Sequence, residues 1–371
     1  MGRPSSSLLG SFSTIIVIKL LEWRRLHPGW GPKTLYTELQ LNDSTKNFKH
    51  PKPSTIALLL KKSDLVKQYD RHIPLPNSTL QGANYPHHIW QIDGQGAFEV
   101  KDLGRINFIN IKDIYSRLYI GSYPLFARGR CGSPNREDYM HCLRLAFSEF
   151  GLPAKIQVDH ASAFYESKGK SPFPTNFHLW LASMGVELIF SRKYRPTDQA
   201  IVERSHQTIV NQVIGQKAYQ SIEQLSQYTN QRRQVLNEHL PCRSCENQAP
   251  LIAYPKARHS NKYYSPQIEH QLINLEKVFQ YLEKGQWIRR GAGRAGKTIS
   301  LGALKYYVKE LTPRAKVQIS FDAHSTNLSF TDQISGENLT PQKIKGINIK
   351  ALQGASFYDL VGNGFQLKIP L

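Results

Sequence analysis

The chain has 371 residues, too long for one ordinary domain and suited to two to four. Forty per cent of its residues are hydrophobic, which supports real cores and excludes wholesale disorder. Lys and Arg number 48 against 28 acidic residues, a formal +20, so a polyanion such as nucleic acid is the expected partner.

The charge is uneven. Residues 1–84 carry 12 basic and 5 acidic side chains and residues 216–371 carry 21 and 11, whereas residues 85–215 carry 15 and 12. Basic flanks around a nearly balanced middle suit phosphate-binding modules around a core that keeps its carboxylates. Four cysteines do not make a disulfide scaffold, and the chain reads as reduced and cytoplasmic. The apolar run 15–21 is broken by Lys19 and followed by Glu22, Arg24 and Arg25, so it reads as neither membrane span nor signal peptide.

In chain order, residues 14–27 read as a helix ending at His27-Pro28-Gly29. Pro32 opens a second helix with Leu35, Leu39 and Leu41, and Ser54 is placed to cap a third, with Ile56, Leu59 and Leu60 on one face. Lys61 and Lys62 follow. This 14–70 segment resembles a helix-turn-helix module, the plainer reading being a helical bundle. Residues 71–84 read as a linker. Residues 85–255 then give strands at 88–92, 105–111 and 117–123, a helix at 138–150, a strand at 154–158, a helix at 175–184, a strand at 186–190 and a helix at 198–214. A hairpin followed by βα units predicts an α/β fold with a mixed sheet. A connecting helix is expected within 262–284. Alternation at Val317, Ile319 and Phe321 predicts a small β-barrel over 285–331, and residues 332–371 read as a tail of unclear structure.

Three carboxylates stand where such an order can gather them. Asp93 is read as ending the strand of HIWQID, Asp159 ends that of KIQVD, and Glu203 lies in the helix of TDQAIVERSHQTIV. Hard cations take oxygen ligands, and three carboxylates can hold two Mg²⁺, with Mn²⁺ able to substitute. Two metals roughly 4 Å apart suit in-line displacement at phosphorus. Singly, an Asp after a strand is a turn former and a helix Glu is solvated. The weight lies in the constellation.

The segments HIWQIDGQG, GRINFINIKDIYSRLYIGSYPL, KIQVDHASAF and RPTDQAIVERSHQT resemble the integrase-type catalytic core of bacterial insertion-sequence transposases. The resemblance implies a ribonuclease-H-like fold and a D,D,E metal triad, carried here by Asp93, Asp159 and Glu203. HPGWGPKTLYTEL is similar to that family's helix-turn-helix, and WIRRGAGRAGKTISLGALKYYV to its C-terminal β module. Two departures stand out. The family's Asn-Gly after the second Asp is His160-Ala161 here, which implies an altered turn and a histidine near the metals. Forty-three residues separate Asp159 from Glu203, against about 35 in the usual pattern.

The resemblance implies a DDE-type polynucleotidyl transferase that cuts and joins double-stranded DNA at element ends, as a homo-oligomer in a bacterial cytoplasm, nucleoid-associated when on DNA. The alternative is a decayed or domesticated DNA-binding protein without catalysis, motivated by residues 160–163. Expected DNA contacts are Lys193, Arg195, Arg204 and Gln207 near the core, with His206 beside them. Lys61 and Lys62 are expected in the N-terminal module, and Arg289, Arg290, Arg294 and Lys297 in the β module. Gly291–Thr298 fits the P-loop pattern G-x-x-x-x-G-K-T, but its flanks read as strands. A basic hairpin loop is therefore expected, and no nucleotide cofactor. Cys242 and Cys245 are half of a zinc pattern without its second half, and His87-His88 reads as a strand lead-in.

Overall fold

The computed structural model describes residues 12–66, 82–129, 132–166, 172–192, 196–215, 218–291, 297–302, 304–312 and 314–354. Lys193, Arg195 and Arg294, and most of the 71–84 stretch, lie outside them. In chain order, α1 (Thr14–Leu26), α2 (Pro32–Leu41) and α3 (Pro53–Lys62) precede β1 (Ile89–Val100), β2 (Gly104–Asp113) and β3 (Tyr119–Phe126). Next come α4 (Arg136–Phe150), β4 (Lys155–Val158), α5 (Asn176–Ser183), β5 (Glu187–Phe190) and α6 (Ala200–Val213). Then follow α7 (Ile222–Glu238), α8 (Pro250–Ala253), α9 (Glu269–Leu272) and α10 (Leu275–Glu283). The chain closes with β6 (Gln286–Arg290), β7 (Thr298–Leu301), β8 (Leu304–Tyr307), β9 (Lys316–Asp322), β10 (Asn327–Asp332), β11 (Asn338–Lys343) and α11 (Ile349–Gln353).

The described residues fall into two compact units that interleave along the chain. One comprises residues up to 134 together with 195–258, and the other comprises 135–194 together with 259–371.

In the first unit, β1, β2 and β3 form an antiparallel meander. Eight of the ten residues of β2 are buried, and four of these, Asn107, Asn110, Lys112 and Asp113, are polar or charged. Val100, Ile106, Phe108 and Tyr119 from the strands meet Ile209, Val213, Leu225 and Leu236 of α6 and α7 in one core. The N-terminal helices have their own core of Ile16, Leu20, Trp30, Leu35, Leu39, Ile56 and Leu60. The cap of α3 differs from expectation. Lys52 is the N-cap and Pro53 starts the helix, because proline lacks the N–H that a first turn leaves unpaired anyway.

The three-helix module docks on α6 and α7. The Trp30 indole N–H donates to the Gln212 carbonyl at 3.1 Å, and the Gln212 amide donates to Thr34 Oγ1 at 3.2 Å. Arg232 lies over the Trp30 ring and donates to Gln212 and to Glu38, at 2.7 and 2.6 Å. A Cβ on Gly29 would come within 2.5 Å of the Asn211 Cβ, so this approach needs glycine.

Asp113, at the end of β2, is fully buried. It accepts from the N–H of His87 (3.1 Å), from the N–H of Ser116 (2.9 Å) and from the Ser116 hydroxyl (2.5 Å). Burial raises its pKa to about 6 against these bonds. The folded state therefore holds a proton that the unfolded chain releases at lower pH, and stability falls as pH rises from about 4 through 6. Relative to Asp113→Asn, the wild type is expected to lose about 2–3 kcal/mol between pH 4 and 7 in urea denaturation. Parallel pH curves for the two proteins would refute the assignment.

In the second unit, β4 and β5 pair in parallel beside α4 and α5. Asn135 and Asp138 form a reciprocal capping box that starts α4, and Gly151, at φ 74°, ends it. The expected connecting helix is broken. α9 stops at Leu272, and the Asn274 side chain accepts from the N–H groups of Glu276 and Lys277 to start α10 afresh. The C-terminal strands form an antiparallel sheet in the order β11-β10-β9-β6, with β7-β8 as a separate hairpin. β11 lies beyond residue 331, inside the stretch read as a tail. The G-K-T of the P-loop pattern runs into strand β7, not into a helix whose N–H groups could hold phosphate.

One ion pair ties this unit together. Arg144 of α4 and Glu269 of α9 are 1% and 0% exposed, and bond bidentately at 2.8 and 2.9 Å. Arg144 also donates to the Gln353 carbonyl at 2.6 Å and lies 5.0 Å from the centre of the Trp180 ring. Glu269 accepts further from Trp180 Nε1 and the Tyr264 hydroxyl. Among the described residues, no helix is long and apolar enough to cross a membrane.

Candidate active site

Asp93 does not end its strand. It is the fifth residue of the twelve-residue β1, because pairing with β2 continues past a bulge between Gln95 and Phe98 to the turn at Gly104. Directly opposite Asp93 on β2 stands Asn110, and opposite Asn110 on β3 stands Ser122. This cross-strand row carries a hydrogen-bond chain. The Ser122 hydroxyl donates to Asn110 Oδ1 at 2.6 Å, which turns the Asn110 amide NH₂ toward His206. Asn110 Nδ2 meets His206 Nδ1 at 2.5 Å, and His206 Nε2 meets Asp93 Oδ2 at 3.0 Å. An Nδ1 that accepts leaves Nε2 to donate to the carboxylate. The other Asp93 oxygen accepts from the Gly94 N–H at 2.8 Å.

Glu203 precedes His206 by three residues on α6 and shares its face. Burial raises the Glu203 pKa from its ordinary value. The negative charge of Asp93 raises it further, and His206 opposes. Asp93 and Glu203 thus feel each other's charge.

Gln91 joins β1 to the start of α6. It lies two residues before Asp93 and points to the same side of β1. Its Nε2 donates to the Asp198 carbonyl at 2.6 Å, and its Oε1 accepts from the Val202 N–H at 3.2 Å. The Gln199 side chain makes no cap bond, so Gln91 caps α6 from the neighbouring strand. Sequence reasoning missed Gln91, Asn110 and Ser122. The sole local hint was a polar residue two before Asp93 in an otherwise apolar strand. Gln91→Ala leaves two buried backbone groups without this partner, and is expected to destabilise the protein by about 1–3 kcal/mol. Denaturant unfolding measures it, and a loss within error of zero would refute the clamp.

Asp159 lies in the second unit, directly after β4. Its Oδ1 accepts from the Ala161 N–H at 2.9 Å. None of residues 160–163 has a positive φ, so the turn forms without the family's glycine. The His160 ring packs on Tyr165 and Phe190, at 5.3 and 5.4 Å between ring centres. Among the described residues no three His, Cys, Asp or Glu side chains are drawn together as a ready metal cluster.

Of the expected DNA contacts, Lys61 and Lys62 are exposed on the last turn of α3, Arg204 and Gln207 are exposed on α6, and Arg290 and Lys297 are exposed in the β module. Arg289 is instead turned inward, 9% exposed and paired with Glu166 at 3.0 Å, because its alternation on β6 points it toward that carboxylate. His206, expected beside the DNA, is held by Asp93 and Asn110. His87 accepts from Trp90 Nε1, and its Nε2 lies 2.9 Å from the Ala257 carbonyl, which makes it a packing element.

Residues 83–196 match a family model described as an integrase core domain, and residues 184–250 match a second model of the same description. Residues 83–250 are thus similar to an integrase core domain. The chain is similar to the Gag-Pro-Pol polyprotein of mouse mammary tumor virus (strain BR6), 31% identical over 129 residues, covering 34% of this chain and 6% of that protein. It is also similar to the Gag-Pro-Pol polyprotein of sheep pulmonary adenomatosis virus, 28% identical over 133 residues, 36% of this chain and 7% of that protein. The chain therefore spans only a small fraction of these curated relatives, and both are retroviral rather than bacterial.

Among solved structures, the simian T-cell lymphotropic virus intasome in complex with PP2A regulatory subunit B56 gamma aligns at 12% identity and a TM-score of 0.38, over 85% of this chain and 100% of that one. The catalytic core domain of BIV integrase aligns at 15% identity and a TM-score of 0.33, over 46% of this chain and 95% of that one.

Proposed function

We propose that the protein is a transposase that cuts and rejoins DNA at the ends of a mobile element, with Asp93, Asp159 and Glu203 as its metal-binding carboxylates. The observation that carries this reading is the Asp93–Glu203 pair, set in an integrase-type core. A carboxylate whose pKa is raised by the charge of a neighbouring carboxylate suits a cation. An all-oxygen donor set suits Mg²⁺ or Mn²⁺ rather than zinc. When bound, a pair of such ions activates the attacking oxygen and stabilises the leaving one in an in-line displacement.

The protein's own residues do the positioning. His206 fixes the Asp93 side chain through one oxygen, and Gln91 fixes the start of α6 and hence Glu203. Lys61 and Lys62, with Arg290, Arg294 and Lys297, supply cations for phosphate contact on either flank. Lys193, Arg195, Arg204 and Gln207 do the same near the core. Two element ends must be joined together, so a multimer assembled on DNA is expected. The chemistry needs no nucleotide cofactor.

The test is strand cleavage and joining on duplexes bearing the DNA that flanks the gene, with Mg²⁺ or Mn²⁺, for wild type and Glu203→Gln. Metal-dependent products from the wild type alone support the transferase. Sequence-specific binding without products under either metal would overturn it in favour of a DNA-binding protein that has lost catalysis.

A further inference from the structure

The second unit contains a cavity of about 320 Å³ that the carboxylate chemistry does not use. Its walls are aromatic. The Phe173 ring meets Trp287 edge-on at 4.8 Å, His178 packs on Tyr281 at 4.7 Å, and Phe190 packs on Tyr165 at 5.8 Å. Gly285 also lines it, and a Cβ there would come within 2.3 Å of the Trp287 ring, so glycine is needed for the indole to form this wall.

Two polar groups interrupt the aromatic lining. Glu166 directs Oε2 to the Phe173 N–H at 2.9 Å and to Arg289 at 3.0 Å, while its Oε1 has no hydrogen-bond partner among the described residues. Lys284 is exposed at the cavity and has no carboxylate partner among the described residues. Burial lowers the His178 pKa to about 4, so its ring is a flat, uncharged wall at neutral pH. The cavity begins five residues after Asp159, and His160 packs on two of its lining rings.

We infer that this cavity binds one unpaired nucleobase of a DNA strand, stacked among the aromatic rings, with Glu166 accepting from its exocyclic amino group and Lys284 meeting its phosphate. The volume is at the small end of ligand sites and suits a single nucleotide. Aromatic side chains hold unpaired bases by stacking, whatever their sequence. A carboxylate accepts well from the amino groups of cytosine, adenine and guanine. Thymine offers only an N–H between two carbonyl oxygens, which repel Glu166. The source of the base rests on the DNA-transfer reading above, but the pocket itself does not depend on metal or on cleavage.

The test uses the full chain without metal, titrated with dAMP, dCMP, dGMP and dTMP by saturation-transfer NMR. The expected result is saturable binding of the three amino-bearing nucleotides, several-fold tighter than dTMP. Tyr281→Ala is expected to weaken dAMP binding about tenfold or more, and Tyr281→Phe to retain it. Tyr281 is 38% exposed, so its truncation leaves the fold standing, and circular dichroism checks this. No binding at millimolar nucleotide, an unchanged affinity in Tyr281→Ala, or indole bound as tightly as dAMP would each overturn the inference. A chain that binds nucleotides in this way but makes no DNA products would retire the transferase and keep the pocket.

Discussion

Glu269→Ala is expected to destabilise the protein by about 3–5 kcal/mol. Arg144 would keep its buried guanidinium, its bond to the Gln353 carbonyl and the Trp180 ring, and would lose both bidentate bonds to a carboxylate. An uncompensated charge at 1% exposure costs far more than the pair contributes, because the attraction only offsets the desolvation of both ions. The Tyr264 hydroxyl and Trp180 Nε1 would lose their acceptor as well. Removing both charges together, as in Arg144→Met with Glu269→Leu, is therefore expected to recover most of the loss. Denaturant unfolding of the three proteins measures it. A Glu269→Ala loss under about 1 kcal/mol would show that the pair is solvated. A fragment ending at residue 255 has the same defect, since it keeps Arg144 and leaves Glu269 behind.

Glu203→Gln is expected to reduce strand joining about a thousandfold or more with duplex binding retained. The amide matches the carboxylate in shape, so α6 and its contacts stay. What disappears is one negative charge facing Asp93, and with it a share of the cation's field. Several kcal/mol of transition-state stabilisation convert to that factor at about 1.4 kcal/mol per decade. The Glu203 pKa is raised by burial and by the charge of Asp93, so activity is expected to fall as pH drops and Glu203 takes up its proton, at a higher pH than an ordinary glutamate would. Single-turnover joining measures both effects. A tenfold loss or less in Glu203→Gln would remove Glu203 from the metal set.

Much of this was legible in the sequence because the signals are local. Alternating and continuous apolar runs located every strand of the core, and the order of strands and helices followed. Errors came where a local cue competed with pairing. The first strand of the core reads as ending by Asp93, yet β1 runs on through Gly94 and Gly96 because β2 pairs with it as far as Val100. The polar helix α7 carries too few apolar residues to announce itself, although Leu225 and Leu236 anchor it in the core. Of the three acidic residues read as the site, Asp93 and Glu203 stand close enough in the first unit for the charge of Asp93 to raise the Glu203 pKa. The supporting contacts were not legible. Arg144 and Glu269 stand 125 residues apart, and Asn110 meets His206 across 96, so neither partnership leaves a trace in a local window.

The docking of the N-terminal helices has a mechanical consequence. Trp30 and Gly29 seat on Gln212 and Asn211, two turns beyond Glu203 on the same helix. Gln91 pins that helix at its other end. A helix held at both ends behaves as a short lever, and a tilt of the N-terminal helices pulls on the end opposite Glu203. Under the proposed function, recognition of a DNA end by the N-terminal helices and cutting at Glu203 would then be coupled through one helix.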